Sequence, residues 1–82
     1  MTLMQRQDAL VAKLEPVHRR FIRMGNSGGG AYAGQRSRLK HVHIAEMRAA
    51  GYSRSEAAES AQQCDDVARL NAAHDVTREG GA

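Results

Sequence analysis

AAGYSRSE, residues 49–56, contains both a helix end and a helix start. Gly51 follows a helical run and, having no Cβ, can adopt the left-handed conformation that closes a helix. Ser53 and Glu56 match a capping box, in which the serine hydroxyl accepts from the third helical N–H and the glutamate accepts from the N–H of the capping residue. The stretch therefore predicts two consecutive helices joined by an αα-corner at Gly51–Ser53.

The helix after this corner carries a line of small side chains at helical spacing. Such a seam lets two helix backbones approach at the short end of the usual 8–10 Å separation. Cys64 belongs to the line, so we expect it to be a buried packing residue rather than a reactive thiol. The predicted seam is Ala57, Ala61, Cys64, Ala68 and Ala72.

The helix before the corner is predicted to begin after Ser37, whose hydroxyl can cap its first turn. One face of this helix combines apolar residues, and Ile44 lies off that face. The predicted face consists of Leu39, Val42, Met47 and Ala50.

A longer amphipathic helix is predicted at the start of the chain. Its apolar residues recur at intervals of seven, four, three, four and three, which places them on one stripe. Pro16 lies off the stripe and removes one backbone hydrogen bond, so a kink is expected there. The stripe comprises Leu3, Leu10, Leu14, Val17, Phe21 and Met24.

Between these helices, residues 25–34 include five glycines and show neither helix nor strand periodicity. We therefore predict a flexible linker over residues 25–36. Gln35 and Arg36 follow the last glycine, where a phosphate-binding loop needs a lysine and a hydroxyl residue, so no nucleotide cofactor is predicted.

The predicted fold is all-α and forms one small domain. Its three helices cover about 2–24, 37–50 and 54–75; the linker spans 25–36, the helical hairpin 37–76 and the tail 77–82.

The composition predicts a thin core. Only thirteen of the 82 residues are Leu, Ile, Val or Phe, whereas fourteen are Ala. So few large apolar side chains favour stabilisation by a protein partner or by a second copy as a homodimer. A single cysteine, no signal peptide and no apolar run of membrane length favour a cytoplasmic location and no membrane partner.

Charge is distributed unevenly along the chain. Residues 18–54 carry a local charge of +7, whereas residues 55–82 carry −4. Either the two segments attract each other within the fold, or the basic segment binds nucleic acid or an acidic protein face. The candidate nucleic-acid-binding residues are Arg19, Arg20, Arg23, Arg36, Arg38 and Lys40.

Catalytic and metal-binding signals are weak. His43 and Glu46 lie one helical turn apart, which is more typical of a contact at a helix edge than of acid–base catalysis. His41, His43, Cys64 and His74 lack the paired spacing of a zinc site on both sides. We therefore predict no enzyme activity, no metal and no cofactor.

The corner resembles two known motifs. Ile44, Met47, Arg48, Gly51, Tyr52, Ser53, Glu56 and Ala58 resemble the start of a helix-turn-helix of the sigma-factor and recombinase type, with Val67 and Arg69 where a recognition helix would begin. That resemblance implies DNA binding, but Gln62 and Gln63 stand where the motif has a glycine and an apolar residue. Residues 47–57 are also similar to the opening corner of ubiquitin-associated domains.

The leading functional hypothesis is a small non-enzymatic regulator or inhibitor that binds another protein, of the kind frequent among phage and mobile-element accessory proteins. The alternative is a nucleic-acid-binding protein with a degenerate helix-turn-helix. The candidate protein-binding residues are Leu10, Leu14, Val17, Phe21 and Met24.

Overall fold

A computed structural model describes residues 1–80 and confirms the all-α prediction. It contains three helices, α1 (Leu3–Arg23), α2 (Gly29–Ala49) and α3 (Arg54–Gly80), and residues 1–80 include no strand. α1 packs most extensively on α3, and α2 packs less extensively on both.

The predicted corner has the expected hydrogen bonds. The Glu56 N–H donates to Ser53 Oγ at 3.1 Å, and the Ser53 N–H donates to Glu56 Oε1 at 3.1 Å. Gly51 has φ +103°, and the Tyr52 N–H donates to the carbonyl oxygen of Met47 at 3.1 Å. These bonds satisfy the backbone groups that a helix end otherwise leaves unpaired.

Comparable hydrogen bonds mark the beginning and the end of α1. Thr2 and Gln5 form a second capping box, with distances of 2.8 and 3.1 Å. The helix runs without interruption through Pro16. It ends with Gly25 and Asn26 in positive-φ conformations, and the Asn26 N–H bonds to the Phe21 carbonyl at 3.0 Å.

The predicted linker is wrong over most of its length. α2 begins at Gly29, so residues 29–36 are helical and Ser37 lies inside the helix rather than at its cap. Local propensity disfavours helix in so many glycines. The early turns are nevertheless held by tertiary contacts, because Tyr32 reaches α1 and Arg36 reaches α3. Tertiary packing has overridden the local preference.

α3 is one continuous helix, which contradicts the helix-turn-helix interpretation. A recognition helix would need a break near Gln62, but α3 passes through that position, and Val67 and Arg69 lie within it. The predicted tail is also wrong at residues 77–80, which belong to α3; residues 81–82 lie outside the described residues.

The predicted small-residue seam is confirmed, since all five of its members are buried. Ala61, Cys64 and Ala68 contact Leu10 and Leu14 of α1, and this cluster is the centre of the core. Small side chains on α3 therefore face large ones on α1, as interdigitated packing requires.

The predicted face of α2 is partly wrong. Met47 is buried and Leu39 is half-buried, as expected, but Ala50 is exposed. Ile44 packs against the core, whereas Val42 is 49% exposed. The inward face of α2 is thus centred on His43 and Met47.

Two glycine substitutions should separate backbone strain from helix propensity. A Cβ at Gly51 or at Gly34 would meet no atom within 4 Å, but Gly51 alone of the two has a positive φ. We expect Gly51→Ala to lower the free energy of unfolding by about 1–2 kcal/mol, because the left-handed conformation is unfavourable with a Cβ. Gly34→Ala should raise it by about 0.5–1 kcal/mol.

Chemical denaturation of both variants and the parent chain measures these changes. A Gly51→Ala variant as stable as the parent would contradict the assigned helix end.

Candidate functional site: a buried ionic network beside an open groove

A buried carboxylate links the three helices. Asp65 lies on α3 among the seam residues and is 2% exposed. Arg36 of α2 approaches it with two guanidinium nitrogens: Nη2 donates to Oδ2, and Nε donates to Oδ1 at 3.3 Å. Lys40 Nζ, one turn further along α2, is 3.8 Å from Oδ2. Two cations of α2 thus neutralise one carboxylate of α3.

α1 contributes His18, which is 1% exposed. His18 Nε2 is 2.7 Å from Asp65 Oδ1, and His18 Nδ1 is 2.5 Å from the Tyr32 hydroxyl oxygen. A carboxylate can only accept, so Nε2 carries the proton and donates to Asp65. In the neutral imidazole, Nδ1 then accepts from the Tyr32 O–H. One neutral tautomer therefore satisfies both nitrogens.

The ring of Tyr32 contacts Phe21 of α1 and Arg36 of its own helix. It stacks on Phe21 of α1, with centroids 3.8 Å apart and planes 3° from parallel. The guanidinium carbon of Arg36 lies 4.9 Å from the centroid of the Tyr32 ring, a cation–π distance. The first two turns of α2 are anchored by these contacts.

The pKa directions agree with this geometry. Burial lowers the pKa of His18 below its usual 6.5, although its hydrogen bond to Asp65 opposes the shift. Burial alone would raise the pKa of Asp65, but hydrogen bonds from Arg36 and His18 outweigh it, and that pKa falls below its usual value. The hydrogen bond to Asp65 raises the pKa of Arg36. The folded chain holds an ionised pair and a neutral imidazole.

Neither His18 nor Asp65 is among the site residues predicted from the sequence. Both follow the helical spacing of the apolar positions: His18 lies four residues after Leu14, and Asp65 lies four residues after Ala61. A titratable residue at a core position requires a polar partner, so this spacing alone could have identified His18 and Asp65 as members of a buried polar contact.

A second polar cluster, further along the bundle, joins residues of all three helices. His43 Nε2 is 3.0 Å from Ser60 Oγ, and Gln7 Nε2 donates to the same oxygen at 3.1 Å. Burial lowers the pKa of His43, with Glu46 opposing the shift, and burial raises the pKa of the Cys64 thiol. The raised pKa keeps the buried Cys64 thiol protonated, which suits a packing role rather than metal binding or reactivity. Residues 1–80 contain no cluster of three or more His, Cys, Asp or Glu suited to a metal ion.

An open groove follows the surface between α1 and α2. It consists of three adjoining depressions, counted from the Met24 end of α1 toward Met1. The first and second share Val17, Arg20 and Gln35, and the second and third share Arg38 and Leu39. The largest, with a volume of about 500 Å³, is the third and lies toward Met1. No described residue of α3 lines the groove. From Arg6 to Met24 it follows α1 for about 27 Å at 1.5 Å per residue.

The groove has an apolar floor and a basic rim. Its floor includes Leu10, Val17 and Leu39, and Val42 is exposed along it. Glu46 is the one acid among the described residues that line it. The four cations on its rim form no ion pair within residues 1–80; they are Arg6, Lys13, Arg20 and Arg38.

The structure divides the five predicted protein-binding residues into two sets. Leu10 and Leu14 are buried in the core against α3. Val17 and Phe21 are half-buried, Met24 is 50% exposed, and all three line the groove. Of these five residues, α3 therefore leaves Val17, Phe21 and Met24 more accessible than Leu10 and Leu14.

The six predicted nucleic-acid-binding residues are also divided. Arg36 and Lys40 bind Asp65, Arg19 Nη1 is 3.4 Å from Asp75 Oδ2, and Arg23 forms two hydrogen bonds with Glu79, at 2.5 and 3.1 Å. Within residues 1–80, four of the six thus pair with acids of α3, as expected if the basic segment and the last helix attract each other. The other two are Arg20 and Arg38, which line the groove.

No family model matches the chain, nor does any curated protein or any solved structure. In the part of the chain that the structure describes, no helix combines the length and the apolarity needed to cross a bilayer.

Asp65 and its neighbour Asp66 provide a matched test of the network. We expect Asp65→Asn to lower the free energy of unfolding by about 3–5 kcal/mol, because it leaves the partners of a buried ion pair uncompensated. Asp66 is half-exposed and bonds to Gln62 and Arg69 at the surface. Asp66→Asn should therefore change stability by less than about 1 kcal/mol.

Circular dichroism during urea titration measures both variants. Equal effects of the two substitutions would show that the Asp65 network does not hold the helices together.

The lowered pKa of His18 predicts a loss of stability in mild acid. The unfolded chain takes up a proton near pH 6.5, whereas the folded chain resists it, so the unfolded state binds more protons as the pH falls. The free energy of unfolding should therefore fall between about pH 7 and pH 5. This range lies above the usual 3.8 of Asp65, whose own contribution is lost only at lower pH.

Denaturation at several pH values in His18→Gln should show a weaker dependence than in the parent chain, with the remainder coming from His43. His41→Gln, at an exposed position of α2, is the control. An unchanged dependence in His18→Gln would mean that folding does not shift the pKa of His18, whereas a steeper fall in acid would mean that folding raises it.

Proposed function

We propose that the chain is a small non-enzymatic regulatory or inhibitory protein that binds a helical segment of a protein partner in the groove between α1 and α2. The observation that carries the proposal is the groove itself, an apolar channel about 27 Å long that α3 does not cover. Helix-in-groove binding uses a channel of this shape, with aliphatic anchors along its floor.

The polar network supports a structural rather than a catalytic role for the interior. Tyr32, His18 and Asp65 are hydrogen-bonded in series, as the hydroxyl, imidazole and carboxylate of a catalytic triad are. Both imidazole nitrogens are engaged, however, and His18 and Asp65 are almost fully buried, so a substrate has no approach to them. The network instead fixes the relative positions of the helices that form the groove walls.

The charge distribution favours a protein partner over nucleic acid. Four of the six candidate cations are paired with carboxylates of α3 in the described residues. The remaining two lie on the rim of an apolar channel, whereas a phosphate-binding surface presents its cations on an exposed polar face.

Two valines provide a matched test of the docking site. Val42 lines the groove and is 49% exposed, and Val67 lies on α3 away from the groove and is 46% exposed. We expect Val42→Glu to reduce partner capture at least about tenfold, because it places a charge on an apolar contact surface. Val67→Glu should leave capture unchanged.

Capture is measured from nuclease-treated lysate of the native host, with stoichiometry determined for each variant and helix content checked by circular dichroism. Equal capture by the two variants, or no stoichiometric protein with the parent chain, would overturn the groove as the binding site.

A further inference from the structure

The rim of the groove has a regular charge pattern along α1. Arg6, Lys13 and Arg20 are each seven residues apart, so they form one line along the helix with about 10.5 Å between successive positions. The floor residues Leu10, Val17 and Met24 repeat at the same interval beside them. An apolar column flanked by a charged column is the pattern of a helix that pairs with another helix.

From this pattern, and resting on the proposed function, we infer that the groove accepts an acidic amphipathic helix of a partner protein whose carboxylates repeat every seven residues. In paired helices, the residues that flank the apolar seam form ion pairs across the interface and select the partner. Three cations at heptad spacing on α1, with Arg38 on the α2 rim, call for Asp or Glu at matching positions.

The cations are available for such pairing. In the described part of the chain, neither Arg6, Lys13 nor Arg20 pairs with a carboxylate, whereas Arg19 and Arg23 on the same helix pair with α3. Two cations of α1 thus form ion pairs with α3, and the other three line the groove.

A second copy of the chain fits the groove less well. Within residues 54–80, α3 offers two acids seven residues apart, Glu59 and Asp66, but Asp66 already bonds to Gln62 and Arg69. Its large exposed apolar residues in the described region are Val67 and Leu70. Two anchors cover a small part of a channel that follows α1 for some five turns, so a partner with an apolar residue at every turn is the better match.

The test uses three labelled peptides of three heptads each, held at nanomolar concentration and titrated with the full chain while fluorescence anisotropy is recorded. All have leucine at the seam positions; the flanking positions are glutamate, glutamine or lysine. We expect the glutamate peptide to bind about tenfold more tightly than the glutamine peptide and the lysine peptide not to bind. The advantage should shrink between about 0.05 M and 0.5 M salt, because screening weakens exposed ion pairs.

A charge exchange adds a control on the protein. Lys13→Glu should weaken binding of the glutamate peptide and reduce the repulsion of the lysine peptide, because one of the four rim cations becomes an acid. Arg54→Glu makes the same charge change at an exposed position outside the groove and should alter neither.

Equal binding of the glutamate and glutamine peptides would overturn the acidic partner but leave the groove as a helix-binding site. Binding of none of the peptides would also overturn the inference, while the Val42→Glu comparison would still decide the proposed function separately. Sedimentation equilibrium tests whether a second copy of the chain occupies the groove. If the parent chain self-associates and Lys13→Glu abolishes that association, the occupant is a second copy and the inferred acidic partner is overturned.

Discussion

The fold depends on neutralising one buried carboxylate. Asp65 would be very costly in the interior by itself, because a charge removed from water must recover its solvation from nearby groups. Two helices provide these groups for Asp65: α2 supplies Arg36 and Lys40, and α1 supplies His18. Sliding either helix by one turn would separate the carboxylate from its partners. The main effect of such an ionic network is therefore to fix the register of the three helices, since its net contribution to stability is small compared with its components.

This constraint complements the core. The seam of α3 is built almost entirely from alanine, and alanine buries little area, so many alternative helix positions would have similar packing energies. Leu10 and Leu14 fill the space against the seam, and the Asp65 contacts distinguish one alignment from the others. With α1 and α3 closely packed in this way, α2 meets α1 less extensively, and the groove is the space that remains between them.

The sequence predicted the parts of the structure that depend on neighbouring residues. Ser53 and Glu56 are three positions apart, so their capping box is visible in the sequence, and the periodicity of Ala57 to Ala72 likewise predicted the buried seam. The start of α2 was not predictable in this way. Its helix is held through Tyr32 and Arg36, whose partners are His18 and Asp65, 14 and 29 residues away. For the same reason the sequence identified the stripe of α1 but could not show which of its residues α3 would cover.

The glycines at the start of α2 make that end of the helix dependent on its tertiary contacts. Gly29, Gly30 and Gly34 contribute no side-chain contacts, and each weakens the helix by about 0.5–1 kcal/mol relative to alanine. The order of these turns therefore depends on the contacts of Tyr32 and Arg36 rather than on the local helix propensity. Tyr32 lies on these turns and lines the end of the groove beside Phe21. A substitution that removed the Tyr32 ring would therefore leave three glycines without the contacts that compensate for their low propensity, and the loss of helix would start at this end of the groove.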